Sequence, residues 1–216
     1  MTERSPRKDA ARNRAAVFAA ADDLFAHCRS PEDVTMADIA AAAGVGKGTL
    51  FRAFGDRTAL IGALYAARLE PLANAVQDGP PPLGPGTPPL LRVPALLDAV
   101  LCFKLDNRHL ALALEGTGAD SPYRTAHYER WHTLLRDLLE EVPGPADAGF
   151  CAHALLAATR ADLVAHLAGD QGVPREELRA QLAEFTAGVL DARARTPTPT
   201  PTRTPTRTDR GPAGER

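Results

Sequence analysis

The side chains best suited to chemistry lie in the run Thr-Met-Ala-Asp-Ile-Ala-Ala-Ala-Ala-Gly-Val-Gly-Lys-Gly-Thr-Leu-Phe-Arg-Ala-Phe, from Thr35 to Phe54. Read as a short helix, residues 46–54 turn Leu50, Ala53 and Phe54 to one face and leave Lys47, Gly48, Thr49 and Arg52 on the other. An ammonium, a hydroxyl and a guanidinium on one narrow rod form no bond-making machinery. They donate hydrogen bonds to oxygens, and their natural partners are phosphates, guanine edges and, for a threonine methyl, the methyl of thymine. The chemistry this predicts is recognition of a polyanion by a helix that enters a groove roughly 12 Å wide.

Covalent or metal chemistry has no comparable signal. The chain holds no G-x-S-x-G elbow, no phosphate-binding P-loop, no H-E-x-x-H pair and no paired cysteines. His127 and His132 are five residues apart and do not share a helix face as metal ligands would, and Cys28 points away from its neighbour His27 on a helix. No catalytic residue, metal site or cofactor is expected, and the chain is not read as an enzyme. The three cysteines, Cys28, Cys102 and Cys151, are odd in number and far apart, which fits reduced thiols in a cytoplasmic protein. No run of 18 apolar residues points to a membrane span.

The elements that must hold the basic rod in place can be read from the same segment. Thr35 and Asp38 are spaced as a capping box that opens a helix. Ile39 and Ala43 lie four apart on one face, small Ala40 permits a close crossing, and Gly44 supplies a left-handed stop with Val45 inside the turn. Gly55 ends the second helix, and Asp56 caps a third whose first residue is Arg57.

Residues 13–65 resemble the DNA-binding domain of TetR-family (tetracycline-repressor-like) regulators. The motifs that carry the resemblance are Ala20-Ala21-x-x-Leu24-Phe25, Thr35-Met36-x-Asp38-Ile39-Ala40, Gly44-Val45-x-x-Gly48-Thr49-Leu50-Phe51-x-x-Phe54, and then Arg57 and Leu60. The resemblance implies a sequence-specific, DNA-binding transcriptional regulator, in the commoner case a repressor released from a palindromic double-stranded operator by a small-molecule effector. Its DNA-contacting residues would be Thr35, Lys47, Gly48, Thr49, Phe51, Arg52 and Arg57, helped by a basic arm with Arg4, Arg7, Lys8, Arg12 and Arg14. Three positions depart from the family pattern. Gly46 replaces a Ser or Thr cap, Phe51 replaces a Tyr, and Ala53 replaces a His or Tyr, which shifts phosphate contact toward Thr35, Lys47, Arg52, Arg57 and the arm. The alternative is a helical protein-interaction module or small-molecule binder that does not bind DNA.

The rest of the chain reads as helix. Apolar residues recur at helical spacing over 10–28, 56–77, 94–106, 121–142, 146–168 and 174–191, and no segment alternates as a strand would. With two short helices near 36–54 and one near 109–115, the expectation is an all-α fold of about nine helices. Proline and glycine clusters at 78–94, 143–145 and 169–174 punctuate it. Charge is uneven, with five basic residues against two acidic in 1–14, ten against 17 in 58–192, and six against two in 193–216. The expected organisation is a basic arm (1–9), a helix-turn-helix domain (10–56), a helical regulatory and dimerisation domain (57–191) and a disordered Thr/Pro-rich tail (192–216). By the same resemblance, helices 146–168 and 174–191 would form a homodimer interface. Phe103, Lys104, His127, Tyr128 and Trp131 mix aromatic walls with polar handles and are the candidate effector pocket, with helix 57–77 joining it to the DNA-binding head.

Overall fold

The computed structural model describes residues 6–115, 123, 125–144 and 146–194, with side chains from Asp9 onward. The expected start of the basic arm and almost all of the Thr/Pro-rich tail lie outside the described residues. Ten α-helices follow one another: α1 (Pro6–His27), α2 (Met36–Ala42), α3 (Lys47–Phe54), α4 (Arg57–Asp78), α5 (Pro89–Asp106), α6 (Arg108–Glu115), α7 (Ala126–Glu140), α8 (Ala148–Ala157), α9 (Ala161–Ala165) and α10 (Arg175–Ala194). No strand occurs among the described residues. A 3-10 turn, Pro31–Asp33, links α1 to α2.

Two expected boundaries are corrected. The helix expected to open at residue 94 begins at Pro89, with Pro88 as its cap. Proline is at home there, because its missing N–H is an orphan donor in the first turn and its fixed φ already suits a helix. Pro94 sits inside the helix and gives up only the bond to the Leu90 carbonyl, whose residue is solvent-exposed. The proline-rich stretch is therefore a shorter loop, and it is tied down. Buried Arg92 donates to the Leu83 carbonyl (2.8 Å) and to the Val76 carbonyl (2.7 Å), pinning the loop onto the end of α4.

The second correction is the helix expected over 146–168, which breaks at Ala158–Arg160 into α8 and α9. Thr159 is buried and turns its hydroxyl back onto the Leu156 carbonyl (3.0 Å). Arg160 is extended and binds Asp162 through two guanidinium nitrogens. The Ala161 N–H donates to Glu115 Oε2 (2.8 Å). These local and long-range polar bonds outcompete one turn of helix. After α9 the chain widens into a π turn, His166–Asp170.

One apolar core runs from head to body. Val17, Ala21 and Phe25 of α1 meet Ile39 of α2 and Leu50 of α3 at one end; Leu96, Leu97, Trp131, Leu135, Leu139, Leu155 and Val164 fill the other. Helix α4 belongs to both, with Leu60, Ile61 and Leu64 buried toward the head and Leu69 and Val76 further along. At α7's far end Arg193 caps the C-terminus, donating to the Leu139 (2.8 Å) and Val142 (3.1 Å) carbonyls.

Candidate nucleic-acid interface and effector cavity

The helix-turn-helix is built as its sequence dictates. The Asp38 N–H donates to Thr35 Oγ1 (3.2 Å), and the Thr35 N–H donates to Asp38 Oδ2 (3.1 Å). Gly44 takes φ +66°, a left-handed turn that a side chain would oppose. Half-buried Val45 donates its N–H to the Ala40 carbonyl (3.0 Å) and brings α3 across α2. Gly46 opens α3 with no side-chain cap, while Asp56 caps α4 by accepting the Ala59 N–H (2.8 Å).

Leu50, 1% exposed, is the bolt that seats α3. Burying a leucine to that degree contributes on the order of 1.5–3 kcal/mol. With Leu50 inward, Lys47, Gly48, Thr49, Phe51 and Arg52 all face solvent. Ala53 is exposed too, contrary to the expected inward face, and Phe54 is only half-buried. Among the described residues neither Lys47 nor Arg52 forms a salt bridge, so both charges stay free for an external anion. A Cβ on Gly48 would meet nothing within 4 Å, so packing does not demand the glycine. It leaves the helix surface bare between Lys47 and Thr49. Arg14 of α1 lies 4.8 Å from the Phe18 ring and 5.2 Å from the Phe54 ring, clamping the end of α3 against α1. Thr35 is exposed at the mouth of α2.

Arg57 differs from the expectation of a phosphate contact. Its Nε donates to the Val34 carbonyl (2.8 Å), its Nη2 donates to the Pro31 carbonyl, and its guanidinium lies 5.8 Å from the Phe25 ring. The side chain is half-buried and latches the first turn of α4 to the segment between α1 and α2. An arginine near a helix start in sequence carries no sign that its fork is already used by backbone carbonyls 23 and 26 residues earlier.

In the body, Phe103, Lys104, His127, Tyr128 and Trp131 all border one cavity between α4, α5, α6 and α7. Tyr65 of α4 completes it. Its ring packs edge-on against Phe103 (centroids 5.1 Å apart) and at a tilt against His127 (5.1 Å). Lys104 is buried, not spread along the surface, and its Nζ donates to Glu115 Oε1 at 2.6 Å. Burial pushes the Tyr65 hydroxyl well above its ordinary pKa, with the Glu115 charge adding to it. Burial also holds His127 below the usual imidazole value, against the pull of Glu115. The free space is about 30 Å³, room for about one water. An open groove of about 850 Å³ along α4 shares Tyr65, Leu69, His127 and Trp131 with the cavity.

Sequence reasoning missed Tyr65, Glu115 and His109. Glu115 ends α6 in the cavity. His109, near the start of the same helix, shares a hydrogen bond through Nδ1 with the Phe25 carbonyl of α1 (2.8 Å) and lies 3.6 Å from Cys28 Sγ. Two histidines and a tyrosine cluster between α7 and α8: His132 stacks on His153 (centroids 3.8 Å), and Tyr128 Oη lies 2.7 Å from His153 Nδ1. No group of three or more His, Cys, Asp or Glu among the described residues is placed to hold a metal ion, and no described helix is long and apolar enough to cross a membrane.

The sequence pattern of the bacterial regulatory proteins of the tetR family matches residues 17–64. No curated protein matches the chain. Among solved structures, a transcriptional regulator from Rhodococcus sp. RHA1 superposes with a TM-score of 0.63 at 20% identity, covering 87% of this chain and 99% of its own. NalD of Pseudomonas aeruginosa, the secondary repressor of the MexAB-OprM multidrug efflux pump, gives 0.58 at 18% identity, covering 87% and 98%. Thermus thermophilus FadR, a TetR-family transcriptional repressor in complex with lauroyl-CoA, gives 0.57 at 19% identity, again covering 87% and 98%. At these identities the likeness is one of fold. The tetR-family pattern thus covers the helix-turn-helix and its flanking helices, residues 17–64, and the chain as a whole shares the all-helical fold of these regulators.

Proposed function

We propose that the protein is a homodimeric, cytoplasmic repressor that grips a palindromic operator with paired α3 helices and releases it when a small molecule enters the cavity beneath α4. The observation that carries the DNA half is α3 itself: Leu50 is buried, Lys47, Gly48, Thr49, Phe51 and Arg52 are exposed together, and neither cation forms a salt bridge among the described residues. In this reading those residues and Thr35 touch DNA, and Arg57 acts as a positioning residue. A single short helix has a small footprint, and two heads about 34 Å apart reach useful specificity. The surface for a second copy is the cleft between α9, the π turn and α10, where Leu163 (39% exposed) and Phe185 (45% exposed) flank Leu167 and Leu178. The likenesses to NalD, a repressor, and to FadR, a repressor in complex with lauroyl-CoA, favour repression and a small-molecule effector. Its physical support is α6, which has Glu115 in the cavity and His109 on the head.

Selection of bound duplexes from a random pool tests the reading. A palindromic winner is expected, with affinity that falls linearly against salt on logarithmic axes. Arg52→Ala is expected to cost about 1–3 kcal/mol of specific binding. A protein that retains no duplex even at low salt would refute the reading.

A further inference from the structure

We infer that the cavity takes an uncharged, carbonyl-bearing apolar molecule, with its carbonyl oxygen seated between Tyr65 Oη and Lys104 Nζ and its apolar body lying along α4. The inference rests on the effector reading above and specifies the chemistry of that effector.

The first argument is the inventory of unused donors. Tyr65 is 3% exposed, yet its hydroxyl makes no hydrogen bond among the described residues. Among the described residues, the fully enclosed side-chain polar atoms without a partner are Thr87 Oγ1 and Arg193 Nε. Tyr65 Oη is not among them, so it opens on free space, that of the cavity and the adjoining groove, both of which Tyr65 lines. Lys104 Nζ carries three N–H groups and gives one to Glu115. A buried donor without a partner costs free energy until an acceptor arrives. Two such donors border a space of about 30 Å³, which holds one polar atom.

The second argument is charge. Glu115 neutralises Lys104, and its other oxygen already accepts the Ala161 N–H. Arg160, also on the cavity wall, is bound to Asp162 by two hydrogen bonds (3.0 and 2.9 Å). Burial holds the His127 pKa below its ordinary value and so disfavours a cation there. The lining has no net charge to offer. A carboxylate would add a second negative charge beside Glu115, and an ammonium a second positive charge beside Lys104, and neither would find an uncompensated countercharge in the lining. A neutral acceptor meets only donors. The third argument is the exit. Tyr65, Leu69, His127 and Trp131 border both the cavity and the outer groove, whose floor carries Ala63, Ala66 and Ala67 of α4. An aliphatic body leaving the cavity lies on that floor.

Trp131 is the only tryptophan and lines the cavity, so its emission reports occupancy. The full-length protein is titrated at neutral pH with 2-octanone, octanoate and octylammonium, which share a chain and differ in the head. Saturable change with 2-octanone is expected, with both charged probes weaker by about tenfold or more. Tyr65→Phe should weaken 2-octanone by about fivefold, the worth of one hydrogen bond, with a melting curve run alongside to show that the variant is folded. Octanoate or octylammonium binding as tightly as the ketone overturns the inference, and so does the absence of any response to all three. Duplex anisotropy separates this from the broader reading. Ketone binding without release of DNA sinks the effector mechanism and leaves the cavity chemistry standing; release by octanoate does the reverse.

Discussion

Arg57 separates two accounts of the head, and replacing it distinguishes them. As a phosphate contact, its loss removes an external interaction. As a latch, its loss opens the head from inside, because Nε and Nη2 hold the Val34 and Pro31 carbonyls and both of those residues are buried. A hydrogen bond from a charged donor is worth roughly 1.5–3 kcal/mol when the acceptor would otherwise be left unsatisfied. Arg57 is half-exposed, so water recovers part of that. Arg57→Ala is therefore expected to destabilise the protein by about 2–4 kcal/mol. For a chain of this size that is a fall in Tm of about 5–15 °C, read by far-UV circular dichroism. Arg57→Lys sharpens the test. An ammonium replaces a guanidinium tolerably at a phosphate but cannot bridge two carbonyls with a planar fork. The latch account expects the Lys variant to lose most of the same stability. It also expects the logarithmic slope of duplex affinity against salt to stay unchanged in both variants, where each lost phosphate contact would reduce it by about 0.9. A wild-type Tm in Arg57→Ala together with a shallower salt slope would refute the latch.

Thr35→Ala removes the cap on α2 and is expected to cost about 1 kcal/mol, read as a shift in the urea midpoint. Hydrogen bonds from the Thr35 side chain and backbone hold the Asp38 carboxyl below its usual pKa. That contribution is present above about pH 3.9 and disappears as pH falls through the folded value, so acid unfolding should begin at higher pH in the Thr35→Ala variant. His127 runs the other way. With its pKa depressed, the folded chain binds fewer protons than the unfolded one, so stability drops as pH falls below about 6.5. His127→Gln should flatten Tm between about pH 6.5 and 5, and an unchanged profile would remove His127 as a contributor. Phe185→Glu places a charge in the proposed dimer cleft, and light scattering should report a monomer with weakened duplex binding.

The parts of this fold legible in sequence are those whose causes are local. Thr35 with Asp38, Gly44, and Leu50 with Lys47 and Arg52 each depend on neighbours within a few residues, so spacing alone places them. The five expected cavity residues fall on one cavity because α5 and α7 each present an aromatic and a polar group on the same face. What the sequence hid was long-range. The break between α8 and α9 has no glycine or proline to announce it. It is made by Thr159 turning onto its own helix and by Glu115, 46 residues upstream, taking the Ala161 N–H. The burial of Lys104 depends on the same glutamate. The start of α5 was misplaced for a different reason: prolines at 88 and 89 read equally well as loop or as a helix start, and only the chain path decides.

Helix α4 was the expected carrier of a signal from cavity to head, and the bonding pattern divides that task. Helix α4 is fixed to the head along its first half. Arg57 ties it to the 31–34 segment, Leu60 and Ile61 are sealed in the core, and Arg68 pairs with Asp22 of α1. It moves with the head. Helix α6 is held differently, by Glu115 at the cavity and by His109 on the Phe25 carbonyl. Eight residues rise about 12 Å, so α6 spans the gap as one stiff piece. The cavity has room for about one water, so no ligand of several atoms enters without moving its wall. The Lys104–Glu115 pair is the wall element that both borders that space and continues into the head. In the proposed mechanism, displacing it would shift α6, strain the His109 bond and tilt α1 with α4. That coupling would be reciprocal: a duplex that held the proposed pair of heads in register would also hold α6 against the cavity and weaken the ligand by the same factor.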